Sequence, residues 1–243
     1  MNLIYAKKFR FPDNSANMIQ GVNMVAAFYH CNTNTNAFFS FNDTIDDRNL
    51  FLKNYYGINF SAYSDRILFT SQKLRGLKYN LWLMKNIITK KDVVLYTREG
   101  TEALRSHLLR HLKVPVAPLF HEVHKFDFDL TGNSDFDNNS RKKTAKLFSQ
   151  LTGLIFIDEL LAKQAKSVFN IQTPIYIAPS GVNIATFSDC KYSIPTSKVI
   201  LGYFGKLIPE KGIFLLLEAF RKLPERYYLR LIGQCDEQVR NNL

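Results

Sequence analysis

The sequence predicts an α/β protein, with one complete parallel-sheet domain followed by the first strand–helix–strand unit of a second. Three observations carry this. Short apolar runs alternate with longer stretches of helical periodicity from the N-terminus to about residue 178, as strands joined by helical crossovers do. The strand runs are apolar almost without interruption, as in Val93-Val94-Leu95-Tyr96, which suits strands buried on both faces. A polar, aperiodic stretch at 183–197 then separates this series from a fresh strand–turn–helix–strand series. The expected division is therefore a first domain at 1–182, a linker at 183–197 and the start of a second domain at 198–243. An α/β domain takes on the order of 100 residues, so the second is expected to be incomplete and the chain to stop inside it.

The elements follow in order. Residues 3–6 read as the first strand and 17–30 as a helix, then 37–41 as a strand and 45–56 as a helix. The stretch 57–70 fits neither period. Leu74, Leu77, Leu81, Met84 and Ile88 recur at helical spacing within 73–91. Residues 92–97 form the clearest strand, 101–112 a helix, and 115–120 a strand. The run 127–139, with Gly132 and four aspartates, reads as a loop. Helix 141–152, strand 154–157, helix 159–169 and strand 174–178 complete the first domain. The second opens with strand 199–204, a turn at 205–212, helix 213–223 and strand 227–232, and a short polar tail follows.

The totals narrow the class. At 46% hydrophobic, the 243 residues suffice for a substantial core. The net charge of +11 attracts anions, whether nucleic acid, nucleotide phosphates or an acidic membrane face, and does not choose among them. A solvated basic surface is the plain alternative. Cys31, Cys190 and Cys235 form no CxxC pair, which argues against a zinc knuckle or a dithiol site. Reduced thiols fit a cytoplasmic protein. The apolar run at the N-terminus is too short for a signal peptide, and no stretch reads as a membrane span. The helix at 73–91 carries Lys73, Arg75, Lys78 and Lys85 around its apolar stripe. It reads either as a core-facing surface helix or as one lying on an anionic membrane with Trp82 as interfacial anchor.

In open parallel sheets ligands bind beyond the carboxyl ends of the strands. That rule selects the loop with Asn14 and Asn17, then Arg98-Glu99, the run His121-Glu122-Val123-His124, Gly181 in Pro179-Ser180-Gly181-Val182-Asn183, and the turn holding Gly205, Lys206 and Lys211. Two lysines at a turn that leads into a helix N-terminus favour a phosphate, and glycine permits close backbone approach. The same residues also read as an ordinary turn with solvated lysines, since GxxxxGK[ST] is absent. A histidine after a buried strand suits a general base or a stabiliser of developing charge, or simply bonds a carbonyl. The run lacks HExxH spacing, so no metal is expected. Arg98 binds a substrate hydroxyl or phosphate, or pairs with Glu99 or Asp158.

Gly202-Tyr203-Phe204-Gly205-Lys206-Leu207, Pro209-Glu210-Lys211-Gly212, Leu216-Leu217-Glu218-Ala219-Phe220 and Leu231-Ile232-Gly233, in this order, resemble family 4 retaining glycosyltransferases. Pro179-Ser180-Gly181-Val182-Asn183 resembles that family's Pro-x-Gly-Val-Asp segment, and Glu122-Val123-His124 sits where the family has its strand-end histidine. The resemblance spans the chain and is strongest from about Pro179 onward. It implies the GT-B fold, two Rossmann-like domains facing across a cleft, and transfer of a sugar from a nucleotide-diphosphate sugar with retention and without a metal or other cofactor. The acceptor would be a glycan or a lipid-linked glycan, typically in cell-surface polysaccharide biosynthesis, with peripheral contact at the anionic inner membrane face. It also implies that Lys206 and Lys211, with Gly205 and Gly181, serve the donor. His124, with Glu122, would serve the transferred sugar, and Asn14, Asn17, Arg98 and Glu99 the acceptor. Lys206 stands where the family more often has Arg, and Asn183 where it has Asp. The family's later pair of glutamates would fall beyond Leu243.

Three rivals share parts of this reading. A dinucleotide oxidoreductase wants GxGxxG after the first strand, which is absent. A nucleic-acid-binding module explains the charge but wants aromatic-interleaved basic strands, so no nucleic-acid partner is expected. A fragment that binds acceptor without turnover keeps the first domain alone.

Overall fold

The computed structural model describes residues 1–13, 15–31, 34–63, 65–73, 75–126, 135–181, 199–235 and 237–240. The chain divides into two compact units, Met1–Thr186 and Phe187–Leu243.

The first unit contains a seven-stranded, wholly parallel sheet. Its strands are β1 (Asn2–Phe11), β2 (Asn34–Phe41), β3 (Ile67–Ser71), β4 (Val93–Thr97), β5 (Leu119–Val123), β6 (Gly153–Phe156) and β7 (Ile175–Ile177). They run in the order β3-β2-β1-β4-β5-β6-β7. The direction of winding reverses between β1 and β4, the position at which doubly wound sheets open a ligand crevice. Register makes the crevice concrete. β1 pairs with β4 only from Asn2 to Tyr5, yet continues along β2 as far as Phe11, so the two central strands part company above Tyr5.

The connecting helices are α1 (Ala16–His30), α2 (Arg48–Tyr56), α3 (Arg75–Thr89), α4 (Gly100–Arg110), α5 (Asp135–Phe148) and α6 (Glu159–Phe169). Successive strand residues face opposite sides, so the sheet feeds two cores. Phe39 and Phe41 pack with Tyr5, Phe9 and Phe11 under α1 and α2. Phe38, one position along, packs instead with Ile4, Leu95, Trp82 and Leu83 under α3, in the core that extends to Phe148 and Phe169. Helix starts are fixed by side chains that accept from otherwise unpaired backbone N–H groups: Ser15 from Met18, Asp47 from Leu50 and Asp158 from Leu161.

Several expected boundaries move. β1 runs on to Phe11 instead of ending before Lys7, because Lys7 finds an ion pair and lies 2% exposed. The ambiguous stretch resolves into a single 3₁₀ turn at Ser61–Tyr63 and β3. α2 begins at Arg48, where Asp47 caps it. β5 begins at Leu119 and not at 115. Pro115 and Pro118 carry no N–H for a ladder, and Val114 and Val116 are exposed. His121 and Glu122 therefore lie inside the strand, and only His124 lies past its end. α5 starts at Asp135, inside the expected loop. Trp82 is buried, which removes it as a membrane anchor. The expected linker at 183–197 lies outside the described residues.

The second unit pairs β8 (Val199–Phe204) with β9 (Tyr227–Ile232) in parallel, with a 3₁₀ turn at Pro209–Lys211, α7 (Ile213–Phe220) and α8 (Glu237–Arg240). α7 ends three residues earlier than expected, and α8 occupies part of the polar tail. Leu207, Ile213 and Val239 form the buried centre. Gly233 follows β9 where a Cβ would stand 1.8 Å from the carbonyl oxygen of Gly205. Only glycine allows the ends of β8 and β9 to approach this closely.

Candidate functional site

The crevice at the carboxyl edge of the first sheet opens into a cavity of about 980 Å³. Its polar lining draws on several elements, α5 among them with Ser140, Lys143 and Thr144. The first turn of α1 contributes Asn17 and, one turn further, Gln20. The residues following β4 contribute Arg98 and Glu99, and β5 with the residue after it contributes Glu122 and His124.

Arg98 is the hub. Its side chain is 2% exposed and lies 3.4 Å from Oε2 of Glu122. Its Nη2 donates to Oε1 of Gln20 at 2.8 Å, and Gln20 in turn donates to Oγ of Ser180 at 2.6 Å. Nε and Nη2 of Arg98 approach Nε2 of His124 at 3.0 and 2.7 Å. The remaining Nη1 is buried and has no hydrogen-bond partner among the described residues.

Glu122 Oε1 lies 2.5 Å from that same Nε2 of His124, while Oε2 accepts from the Tyr96 hydroxyl. One ring nitrogen thus faces both a carboxylate and a guanidinium. As a donor it serves Glu122 and turns a proton toward Arg98's own N–H groups; as an acceptor it serves Arg98 and repels Glu122. Burial pushes the Glu122 carboxyl up, but the hydrogen bonds from His124 and Tyr96 and the Arg98 charge outweigh it and hold the group below its ordinary value. Glu122 therefore stays ionised, and a positive or proton-bearing group beside it is stabilised.

A second ion pair flanks the first. Lys7 Nζ lies 2.7 Å from Oε1 of Glu99, which also accepts from Asn17 at 3.4 Å. Burial raises the Glu99 carboxyl and the hydrogen bond and charge of Lys7 lower it, with a net fall. On the sheet beside these, His121 is pressed down to about 4 by burial and meets Thr97 Oγ1 at 3.1 Å, so it is neutral at physiological pH.

Of the residues expected at the site, Asn17, Arg98, Glu99, Glu122 and His124 come together around this cavity. Asn14 lies outside the described residues. Gly181 lines a neighbouring cavity of about 550 Å³ together with Gln20 and Asn23. In the second unit, Gly205 follows β8 with a φ of 149°, Lys206 and Lys211 are exposed, and the Lys206 carbonyl accepts from the Tyr203 hydroxyl at 3.0 Å. Lys211 closes the 3₁₀ turn, and left-handed Gly212 separates it from α7. Among the described residues no group of three or more His, Cys, Asp or Glu side chains could hold a metal ion.

No protein-family model matches the sequence, and no curated protein matches it. Solved structures do. One is described as trehalose-6-phosphate from E. coli bound with UDP-2-fluoro glucose. It matches 99% of this chain and 68% of its own, at 14% identity and a TM-score of 0.55. A second, trehalose-6-phosphate synthase OtsA, matches 100% of this chain and 68% of its own, at 13% identity and 0.55. An apo OtsA structure matches at 12% identity and 0.53, with 99% and 68% covered.

The chain has the GT-B fold. At these identities the likeness is one of fold, and it embraces both units of the chain. Within the GT-B frame, the residues at the site that the sequence left unread include Lys7 and Gln20. Lys7 carried a signal, a charge inside the apolar run Leu3 to Phe11. Gln20 stands three residues after Asn17, on one face of a helix. Ser180 lies in the selected strand-end segment, but its bond to Gln20 was not legible, because the two stand 160 residues apart in sequence.

Proposed function

We propose that this chain belongs to a retaining glycosyltransferase of the family 4 kind, transferring a sugar from a nucleotide-diphosphate sugar to a glycan or lipid-linked acceptor. The observation that carries the reading is the Glu122–His124–Arg98 cluster at the switch point of a sheet whose fold is that of nucleotide-sugar glycosyltransferases. The sugar ring gains positive character as its bond to the diphosphate breaks, and His124 with an ionised carboxylate behind it suits that charge. Glu122, enclosed by Tyr96, Arg98 and His124, acts as a positioning residue. His124, with its side chain 23% exposed, is the member that reaches the substrate. Asn14, Asn17 and Glu99 serve the acceptor, with Arg98 buried behind them as the group that orders His124 and Gln20.

On the donor side, Lys206 and Lys211 meet the diphosphate, and the backbone at Gly205 and Gly181 lets it come close. Two fixed positive charges stabilise a leaving group that gains negative charge, so no metal or other cofactor is needed for departure. The product is placed in cell-surface polysaccharide biosynthesis, at the cytoplasmic side of the membrane.

A second reading, acceptor binding without turnover, is favoured by the Arg98 cavity, whose lining residues all belong to the first unit. One assay separates the two. The chain is supplied with UDP- and GDP-sugars and a lipid-linked glycan extract, and release of nucleoside diphosphate is followed. The proposal expects release with one donor, reduced about 10²- to 10⁴-fold in His124→Ala. Acceptor binding with no release from any donor would sink it.

A further inference from the structure

α1 borders two cavities. Its first turn faces the Arg98 cavity. Further along, Gln20, Asn23, Met24 and Ala27 follow one another at three- and four-residue spacing, on one side of the helix, and line a second cavity of about 550 Å³. That lining continues to Cys31, so it accompanies α1 for about 16 Å at the rise of an α-helix. The turn after α2 adds Ile58 and Asn59. Gln20 lines both cavities, and Ser180 and Gly181, neighbours in sequence, line one each. The two cavities therefore adjoin here.

The chemistry of the second lining excludes several classes of ligand. None of its described residues is Asp, Glu, Lys or Arg, so a phosphate or nucleotide finds no fixed charge to offset its own. None is Phe, Tyr or Trp, so a nucleobase finds no ring to stack on. An acyl chain would suit Met24, Ala27 and Ile58, but would strip water from the amides beside them and put nothing in its place. Those amides are half used. Asn23 Nδ2 donates to the Ile19 carbonyl at 2.9 Å, which leaves Oδ1 to accept. Asn59 Oδ1 accepts from the Ser61 N–H at 3.0 Å, which leaves Nδ2 to donate. An acceptor and a donor set beside aliphatic carbon match a sugar ring, whose hydroxyls do both and whose C–H faces are apolar.

We propose that this second cavity is a subsite for an uncharged oligosaccharide. The glycan's terminal sugar enters the Arg98 cavity, and the units behind it pass Gln20 and lie along α1, held by Asn23 Oδ1 and Asn59 Nδ2. Its service to an acceptor rests on the transferase reading; its affinity for the glycan does not, because binding needs neither donor nor turnover. The ligand class follows from the lining: a chain of several neutral sugars, in preference to one sugar or to a charged chain.

Calorimetric titration tests this without any nucleotide sugar present. The probes are cellopentaose, maltopentaose, chitopentaose, their monosaccharides, and oligogalacturonate as the charged chain. One neutral pentasaccharide is expected to bind, at least about tenfold more tightly than its monosaccharide, as two added hydrogen bonds require. Asn23→Ala removes the acceptor, and Asn59→Asp removes the donor while keeping the oxygen that Ser61 uses. Each should weaken the pentasaccharide about fivefold and leave the monosaccharide unchanged. Ala27 is exposed, so Ala27→Trp should fill the cavity and abolish the advantage of the longer chain with the melting profile unaltered. Failure of every neutral pentasaccharide to bind more tightly than its monosaccharide would overturn the subsite, as would tighter binding of oligogalacturonate or affinity indifferent to all three substitutions. Donor turnover assayed separately keeps the two readings apart: turnover without a chain-length preference sinks the subsite alone, and the preference without turnover sinks the transferase alone.

Discussion

Single side chains in this fold carry opposing tasks a few ångströms apart. His121 and His124 are separated by two residues, yet His121 is sealed in the sheet and neutral while His124 reaches the cavity beside an ionised Glu122. Burial lowers His121 from 6.5 to about 4, so its folded value lies below its unfolded one. The unfolded chain then binds the extra proton between those limits. The stability that neutral His121 provides is complete above about pH 6.5 and is lost as pH falls toward 4, a change on the order of 3 kcal/mol. Urea midpoints across that interval should fall less steeply in His121→Gln than in the wild type; parallel curves would show that the buried imidazole is not the titrating group. Glu122 adds a further loss at lower pH, since its folded value is depressed and its contribution disappears as it is protonated. The sequence made Arg98, Glu99 and His124 legible because strand-end chemistry is local, whereas Glu122, singled out for the same reason, lies inside β5. The bond from Arg98 to Gln20 and on to Ser180 was not legible, because it depends on which loops the sheet order brings together.

At the scale of elements, periodicity served the strands and helices whose neighbours are apolar, and failed where local chemistry and tertiary demand disagree. β8, α6 and β9 match their expected bounds residue for residue. β5 does not, because Val114 and Val116 have strand-like side chains but stand exposed beside prolines, while the buried strand hides His121 and Glu122 in its interior. α5 likewise begins at Asp135, among residues with turn character that were expected to form a loop. The β8–β9 pair rests on a backbone approach that one glycine permits. Gly233→Ala would place a methyl group against the Gly205 carbonyl and at a φ of 152°, a destabilisation on the order of 3 kcal/mol. Hydrogen exchange should then show loss of protection in β8 and β9 with the first sheet unchanged. Retained protection would mean that the close contact relaxes at little cost.

For the whole molecule, the sheet order and the parted ends of β1 and β4 explain why half of the polar chemistry gathers at one edge of the first unit. The lysine-bearing turn, by contrast, belongs to the second. No helix among the described residues is long and apolar enough to cross a membrane. The central claim is that Lys206 and Lys211 recognise a nucleotide diphosphate. Calorimetric titration of the chain with UDP, GDP and their sugars tests it most directly. Micromolar binding of one nucleotide is predicted, weakened at least about tenfold in Lys206→Ala and in Lys211→Ala, as loss of one charge-assisted contact to a phosphate requires. A folded chain that binds none of them, or one whose binding ignores both substitutions, would contradict the account.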